Sequence, residues 1–264
     1  MAAVDLRIAR YLTRIHPRGR CDEERADTGR LEKLELFFYS KALAVVAVTH
    51  AFRDNLIGRG IDAAKIHVVT NSVDTSRFKP MPKDPELMQS LGLQGKFVAG
   101  YVGTHGMAHG LHTLIDAALL LRDDPACADV RILMLGDGTT RAELEARAVA
   151  DGATNILFLD NVAKEQVAGY WSLLDVAIIH LKKSPLFTTV IPSKMFECMG
   201  MRIPILHGVE GESAGIVRQN DIGLTFEPDN AAALVAGLKA ARLYDRHTLA
   251  MEMLTVMSRY ARHS

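Results

Sequence analysis

The chain has 264 residues, of which 48% are hydrophobic, 23% charged and 6% aromatic, a globular composition that excludes a disordered or collagenous protein and leaves room for one large domain or two smaller ones. Lys and Arg number 31 and Asp and Glu number 31, so a protein that binds nucleic acid through its whole surface is excluded. Cys21, Cys127 and Cys198 form no CxxC pair, which points to reduced thiols and a cytoplasmic location; no apolar run reaches the ~18–20 residues of a membrane span, and Met1–Arg20 has no secretory-signal pattern.

The start carries Arg7, Arg10, Arg14, Arg18 and Arg20 against Asp5. Arg7, Arg10 and Arg14 share a helical face beside Ile8, Leu12 and Ile15, either as a basic helix peripheral to an anionic membrane or as a solvated helix face. A helix is predicted over Leu31–Ala42, then a strand at Leu43–Val48, a short helix and a strand at Ile66–Val69. Asn71–Gln94 breaks this rhythm with Pro80, Pro82 and Pro85 among charged residues and is predicted to be an interdomain linker. Apolar runs follow at Phe97–Val102, Val130–Leu135, Ile156–Leu159, Val176–Ile179, Ile203–Leu206 and Gly223–Phe226. They are rich in Val, Ile and Leu and lack polar alternation, as strands buried on both faces do. Amphipathic stretches separate them, among them Leu111, Leu114, Ile115, Ala118 and Leu119 at helical spacing. Strand–helix–strand repetition predicts an α/β fold, a doubly wound parallel sheet of Rossmann-like type. The first 78 residues hold too few strands for a second such domain and predict an incomplete α/β lobe.

Three turns carry candidate chemistry. Gly103-Thr104-His105-Gly106 lies between a strand and a helix, where backbone amides can approach a phosphate or simply close a tight turn. It is neither a GxGxxG nor a GxxxxGK[ST] motif, which argues against a dinucleotide dehydrogenase and a P-loop enzyme. His105, His109 and His112 have a spacing that a zinc site could use, but no carboxylate or thiol completes the set, and loop histidines donating to a phosphate are the better reading. In Pro192-Ser193-Lys194-Met195-Phe196-Glu197, Pro192 suits a helix start. Ser193 and Lys194 then face an anion from the first turn, and Glu197, one turn on, can accept hydrogen bonds from vicinal hydroxyls such as those of a ribose. The third turn, Gly208–Ala214, opens a helix after the Ile203–Leu206 run. All three fall at carboxyl ends of predicted strands, where open α/β sheets bind ligands.

In this order the motifs resemble those of family-4 retaining glycosyltransferases of GT-B fold, particularly bacterial surface-polysaccharide members. The resemblance covers most of residues 30–245. Leu34–Tyr39 and Ala44–Thr49 are similar to the end of the family's first domain. Ile66–Asp74 with Phe78 and Pro80 is similar to its domain junction, and Tyr101–Gly110, Leu135–Gly138, Phe158–Val162 and Pro192–Glu197 are similar to its donor domain. The resemblance implies a remnant of the acceptor-side lobe at 1–78, a linker at 79–95, a nucleotide-sugar domain at 96–246 and a terminal helix at 247–264 that packs back on the first lobe. It implies a transfer of sugar from a nucleotide-sugar, a UDP-sugar by family frequency, to a saccharide or lipid-linked acceptor in polysaccharide biosynthesis, with no cofactor beyond this co-substrate and no metal bound to protein. Glu197 would hold the ribose. Lys194, Ser193, Gly103, Thr104, His105, Gly106 and His109 would surround the diphosphate, Asn161 and Val162 would contact the base, and Thr189, Gly211 and Glu212 would approach the sugar. No catalytic residue is assigned. Thr189 stands where many relatives carry a second glutamate, and Thr104 and His109 stand near the places of an arginine and a lysine. A first lobe so short is expected of a truncated gene product, a fragment or one half of a split enzyme; the alternative to a transferase is then a truncated, non-catalytic nucleotide-sugar-binding module or half of a split enzyme, with an N-terminal-lobe partner chain or a homodimer as the partner.

Overall fold

A computed structural model of the chain describes residues 21–244, 252, 253 and 255–257, with the helical backbone alone for 21–29. The basic start, 1–20, lies outside the described residues. The chain divides into two compact units, 1–70 and 71–264.

In the first unit, helix α1 (Cys21–Lys41) begins earlier than the predicted Leu31 and leads to β1 (Val45–Ala47), α2 (His50–Gly58), a 3-10 turn and β2 (Ile66–Val68). The two strands pair in parallel with Val45 opposite Ile66, so α2 is the crossover that parallel pairing requires. Thr49, fully buried, caps α2 by accepting the Phe52 N–H at 3.0 Å, which satisfies one of the donors a helix start leaves free. Tyr39, Val45, Ala47, Leu56, Ile61 and Ile66 make a small core. Burial and the neighbouring Glu35 carboxylate push the Tyr39 phenol up to about 12, while Glu35 is held by Arg59 at 2.9 Å. Phe37, Phe38, Leu43 and Val69 remain more than half exposed, in keeping with the small sheet.

The second unit begins before the predicted domain start. The segment predicted as a linker, 79–95, is part of its body: Met88 and Leu93, like Phe78 just before it, are buried in its core, Lys83 pairs with Asp175 at 2.8 Å, and Pro85 is not a breaker but the first residue of α3 (Pro85–Ser90), capped by the Asp84 side chain. The strands β3 (Phe97–Val102), β4 (Val130–Leu135), β5 (Ile156–Leu159), β6 (Val176–His180), β7 (Ile205–Gly208) and β8 (Gly223–Thr225) form one sheet in the order β5-β4-β3-β6-β7-β8. Every pairing is parallel, as the unalternating apolar runs require. The order reverses between β3 and β6, so a crevice opens beyond their carboxyl ends.

Helices cover both faces. Alternation along β3 sends Val98 and Val102 to one core and Ala99 and Tyr101 to the other. The first core receives α6 (Val167–Ser172), α7 (Lys194–Met201) and α8 (Glu212–Gln219); the second receives α4 (His112–Arg122), α5 (Arg141–Ala150) and α9 (Ala231–Ala241). Of the stripe expected from spacing, Leu111, Leu114, Ile115 and Ala118 are buried and Leu119 only partly, while Leu121 of α4, not in that reading, is fully buried. Of the terminal helix predicted at 247–264, residues 252, 253 and 255–257 are described and helical. Met253 and Val256 are buried in the core of the second unit, whereas the prediction placed this helix on the first lobe; 245–251, 254 and 258–264 lie outside the described residues.

Candidate functional site

The loop after β3 is shaped by the loop after β4. Gly103 N–H donates to Leu135 O and His105 N–H to Asp137 O, both at 2.8 Å, and Thr140 donates to His105 O from its amide (3.0 Å) and its hydroxyl (2.8 Å). The backbones run so close that a Cβ on Gly136 would fall on the Gly103 carbonyl, and one on Gly138 on the His105 backbone. Gly136-Asp137-Gly138 is thus a backing plate for the phosphate-type turn. Gly136 also sits at φ 143°, so Gly136→Ala meets both a steric and a conformational penalty, together about 2 kcal/mol or more. The expected result is a melting temperature lower by about 4–8 °C, measured by thermal denaturation.

This bonding decides which turn amides can serve a ligand. Those of Gly103 and His105 point inward; those of Thr104 and Gly106 carry no protein acceptor among the described residues. The His105 side chain is also inward, with no exposure and both ring nitrogens unpartnered. It lies near Tyr101 and Phe158, with centroid distances of 5.9 and 6.4 Å. Burial pulls its pKa down to about 4, so it is a neutral spacer. The expectation that it donates to a phosphate fails, because alternation along the turn that leaves Thr104 outward turns His105 into the core. His109 is half-buried, edge-on to Tyr101 at 5.9 Å, and burial lowers it to about 4. His112 turns elsewhere, to Glu143 at 3.3 Å, so the three histidines do not converge; among the described residues no group of three or more His, Cys, Asp or Glu is placed for a metal ion.

Opposite the turn stands α7. Ser193, exposed and already helical, makes no capping bond with its side chain. Lys194 extends over Gly103: a Cβ there would land on Lys194 Cε, so the missing side chain at 103 makes room for the ammonium arm. Burial holds the Lys194 ammonium below the usual lysine range, against the opposing pull of Glu197. Glu197, one turn along, accepts a hydrogen bond from Trp171 Nε1 at 3.0 Å, and Trp171 is wholly buried, so this carboxylate is aimed by a rigid donor. Gly200 lies against Phe78, whose carbonyl a Cβ would meet at 2.8 Å.

Gly103, Asn161, Val162, Lys194 and Glu197 line one cleft of about 400 Å³ at the switch point. Arg77, Phe78, Lys164 and Val167 line it too and were missed in the sequence. Arg77 reaches Lys164 O at 3.2 Å and lies over the Phe78 ring at 5.2 Å. Of the other candidates, Thr104, His105, Gly106, His109 and Ser193 are not among its lining residues; nor are Thr189, Gly211 and Glu212, which meet each other's loops, since a Cβ on Gly211 would strike the Thr188 carbonyl. Arg141 was also missed. Its guanidinium donates to Gly136 O at 2.7 Å and Leu159 O at 3.2 Å and pairs with Asp160 at 2.8 Å, fixing the chain immediately before Asn161. A larger hollow of about 570 Å³ beside edge strand β5 contains none of the candidate site residues, and its carboxylate, Glu145, is paired with Arg141.

A six-stranded parallel sheet with this cleft is a Rossmann-like glycosyltransferase fold, and solved structures agree. The crystal structure of Anabaena HepE in complex with UDP and glucose has a TM-score of 0.65 at 20% identity, over 86% of this chain and 66% of that one. WaaG, a glycosyltransferase involved in lipopolysaccharide biosynthesis, has 0.65 at 14%, over 82% and 58%. Residues 96–242 match the model for glycosyl transferases group 1, and residues 9–77 match that for glycosyltransferase family 4. The chain belongs to the glycosyl transferases group 1 family. It is 25% identical over 215 residues to WcaI of Escherichia coli (strain K12), described as a colanic acid biosynthesis glycosyl transferase, covering 79% of this chain and 52% of that protein. It is 30% identical over 118 residues to 2-deoxystreptamine glucosyltransferase of Streptomyces kanamyceticus, covering 43% of this chain and 30% of that protein. The chain therefore spans about half, or less, of the length of these relatives. No described helix is long and apolar enough to cross a membrane.

Proposed function

We propose that the second unit is the donor-binding half of a retaining glycosyltransferase that takes sugar from a nucleotide-sugar, a UDP-sugar in the first instance, for a saccharide or lipid-linked acceptor in surface polysaccharide synthesis. The observation that carries the reading is the placement of Lys194 and Glu197, one helical turn apart, in the cleft at the switch point, with Glu197 held by Trp171. Glu197 grips the ribose hydroxyls, Asn161 and Val162 meet the base, and Lys194 with the Thr104 and Gly106 amides receives the diphosphate. As the bond from sugar to diphosphate breaks, charge builds on the departing phosphate, and preoriented amides and an ammonium favour that state over the ground state. The names of two relatives support a place in polysaccharide assembly, colanic acid for WcaI and teichuronic acid biosynthesis for TuaH of Bacillus subtilis, and the UDP and glucose bound in HepE support the donor class.

The alternative carried from the sequence is a binding module, or half of a split enzyme, that holds donor without turning it over. Calorimetry with UDP and a panel of UDP-sugars, followed by a transfer and hydrolysis assay on the same chain, separates them. Binding with turnover, and product of the same anomeric configuration as the donor, is expected of the enzyme; binding alone is expected of the module. No heat and no thermal shift with millimolar UDP, GDP or ADP removes both.

A further inference from the structure

We propose that His180 is a positioning residue for the leaving-group end of the cleft, holding the second half of the phosphate-side loop at the end of β6; the inference rests on the donor reading above. The His180 side chain has no exposure. Its Nδ1 lies 2.6 Å from the His109 carbonyl oxygen. A carbonyl can only accept, so Nδ1 carries the hydrogen. At the other end of the ring the Asp229 amide lies 3.0 Å from Nε2. An N–H can only donate, so Nε2 carries the lone pair. Two backbone groups of opposite character therefore fix one neutral tautomer.

The surroundings leave the ring nowhere else to go. It stacks on Phe226 with centroids 5.7 Å apart and planes at 9°. Gly208 presses from the neighbouring strand, where a Cβ would come within 2.7 Å of His180 Cδ2. Gly110 turns at φ 58°, with His180 Cε1 3.0 Å from where its Cβ would be. Lys182 N–H adds a bond to Ala108 O at 2.9 Å.

The loop thus has two independent anchors. Gly103–His105 is fastened to the β4 loop; His109 is fastened to β6 through His180, and Ala108 to Lys182 just beyond that strand. Gly106, whose amide has no protein acceptor among the described residues, lies between them. In the sheet order β6 lies on the far side of β3 from β4 and β5, and the segment assigned to the base follows β5. His180 therefore stands on the side of the sheet away from the segment assigned to the base, the side on which the donor reading puts the second phosphate and the sugar.

The test compares UDP with UMP by calorimetry on the full chain, with GDP and GMP as a second pair, for wild type, His180→Ala and His180→Asn. Asparagine keeps a donor for His109 O but gives up the acceptor for Asp229. The wild type is expected to prefer UDP over UMP by about tenfold or more, and His180→Ala to reduce the preference to about threefold or less with UMP affinity unchanged. His180→Asn should fall between them. A general loss of structure lowers both nucleotides alike and leaves the ratio intact. In parallel, long-range proton–nitrogen NMR correlations of the wild type are expected to show His180 protonated at Nδ1 alone, a readout independent of ligand and of how the variants fold. A wild type that binds UMP as tightly as UDP, an unchanged ratio in folded His180→Ala, or a proton on Nε2 overturns the proposal. A wild type that binds none of the nucleotides removes the donor reading instead, and the NMR signature still decides whether the clamp exists.

Discussion

Glu197→Ala is expected to weaken UDP binding by about 100-fold. A carboxylate that accepts two hydroxyl hydrogen bonds contributes about 1.5 kcal/mol through each, and about 3 kcal/mol is two powers of ten. The loss should be specific to the sugar hydroxyls: wild type should discriminate strongly against dUDP, and Glu197→Ala hardly at all, so a double cycle of protein and ligand changes isolates the contact. Trp171 supplies the companion variant. Trp171→Phe keeps most of the buried ring but removes the N–H that bonds Glu197 Oε2. Its expected effect is about tenfold on UDP, roughly the worth of one hydrogen bond to a charged group, with the same direction of change in dUDP discrimination. Calorimetry at fixed ionic strength measures all of these. A Glu197→Ala chain that binds UDP within threefold of wild type would show that the carboxylate does not hold the nucleotide.

The strands of the second unit were legible because a sheet buried on both faces leaves runs such as Val130–Leu135 and Val176–Ile179 unmistakably apolar, and their repetition fixed the fold class. Lys194 and Glu197 were legible as a pair one helical turn apart, although the helix begins at Lys194 with Ser193 as its N-cap and Pro192 stands before it, not at the first helical position that the sequence suggested. Other features depend on contacts far apart in sequence. His105 looked like a phosphate ligand until the β4 loop claimed its amide and turned its ring inward. Trp171 sat in a helical stripe that reads as ordinary core, and nothing local says its indole N–H reaches Glu197. Arg141 and His180 act on backbone carbonyls and amides, which leave no mark in the side-chain sequence around them. The prolines of 79–95 suggested a linker; what the local signal omitted was that Met88 and Leu93, just beyond them, are buried in the body of the unit. The signal that could have corrected this was Asp84-Pro85-Glu86, an acidic cap followed by proline at the first helical position.

Lys194→Met is expected to weaken UDP by about 30-fold while making the ligand-free chain more stable, and the pairing of the two effects is the informative part. In the absence of an anion the Lys194 ammonium is partly stripped of water, and its pKa falls for that reason. The unfolded chain binds this proton more tightly than the folded one, so stability rises with pH toward the unfolded lysine value of about 10.4. A methionine of similar length fills the same space beside Gly103 without that desolvation penalty, so the variant should melt higher near neutral pH and lose this part of the alkaline gain. With UDP present the order reverses. The wild-type ammonium meets a phosphate in a poorly hydrated cleft, a charge-assisted bond of about 2 kcal/mol, and the variant has none to offer. Wild-type affinity should also fall more steeply with salt than that of the variant, since one charge pair fewer is screened. Thermal denaturation across pH, with and without UDP, reads both halves. A variant that is less stable without ligand and binds UDP unchanged would place Lys194 in the framework of the unit and outside the nucleotide site.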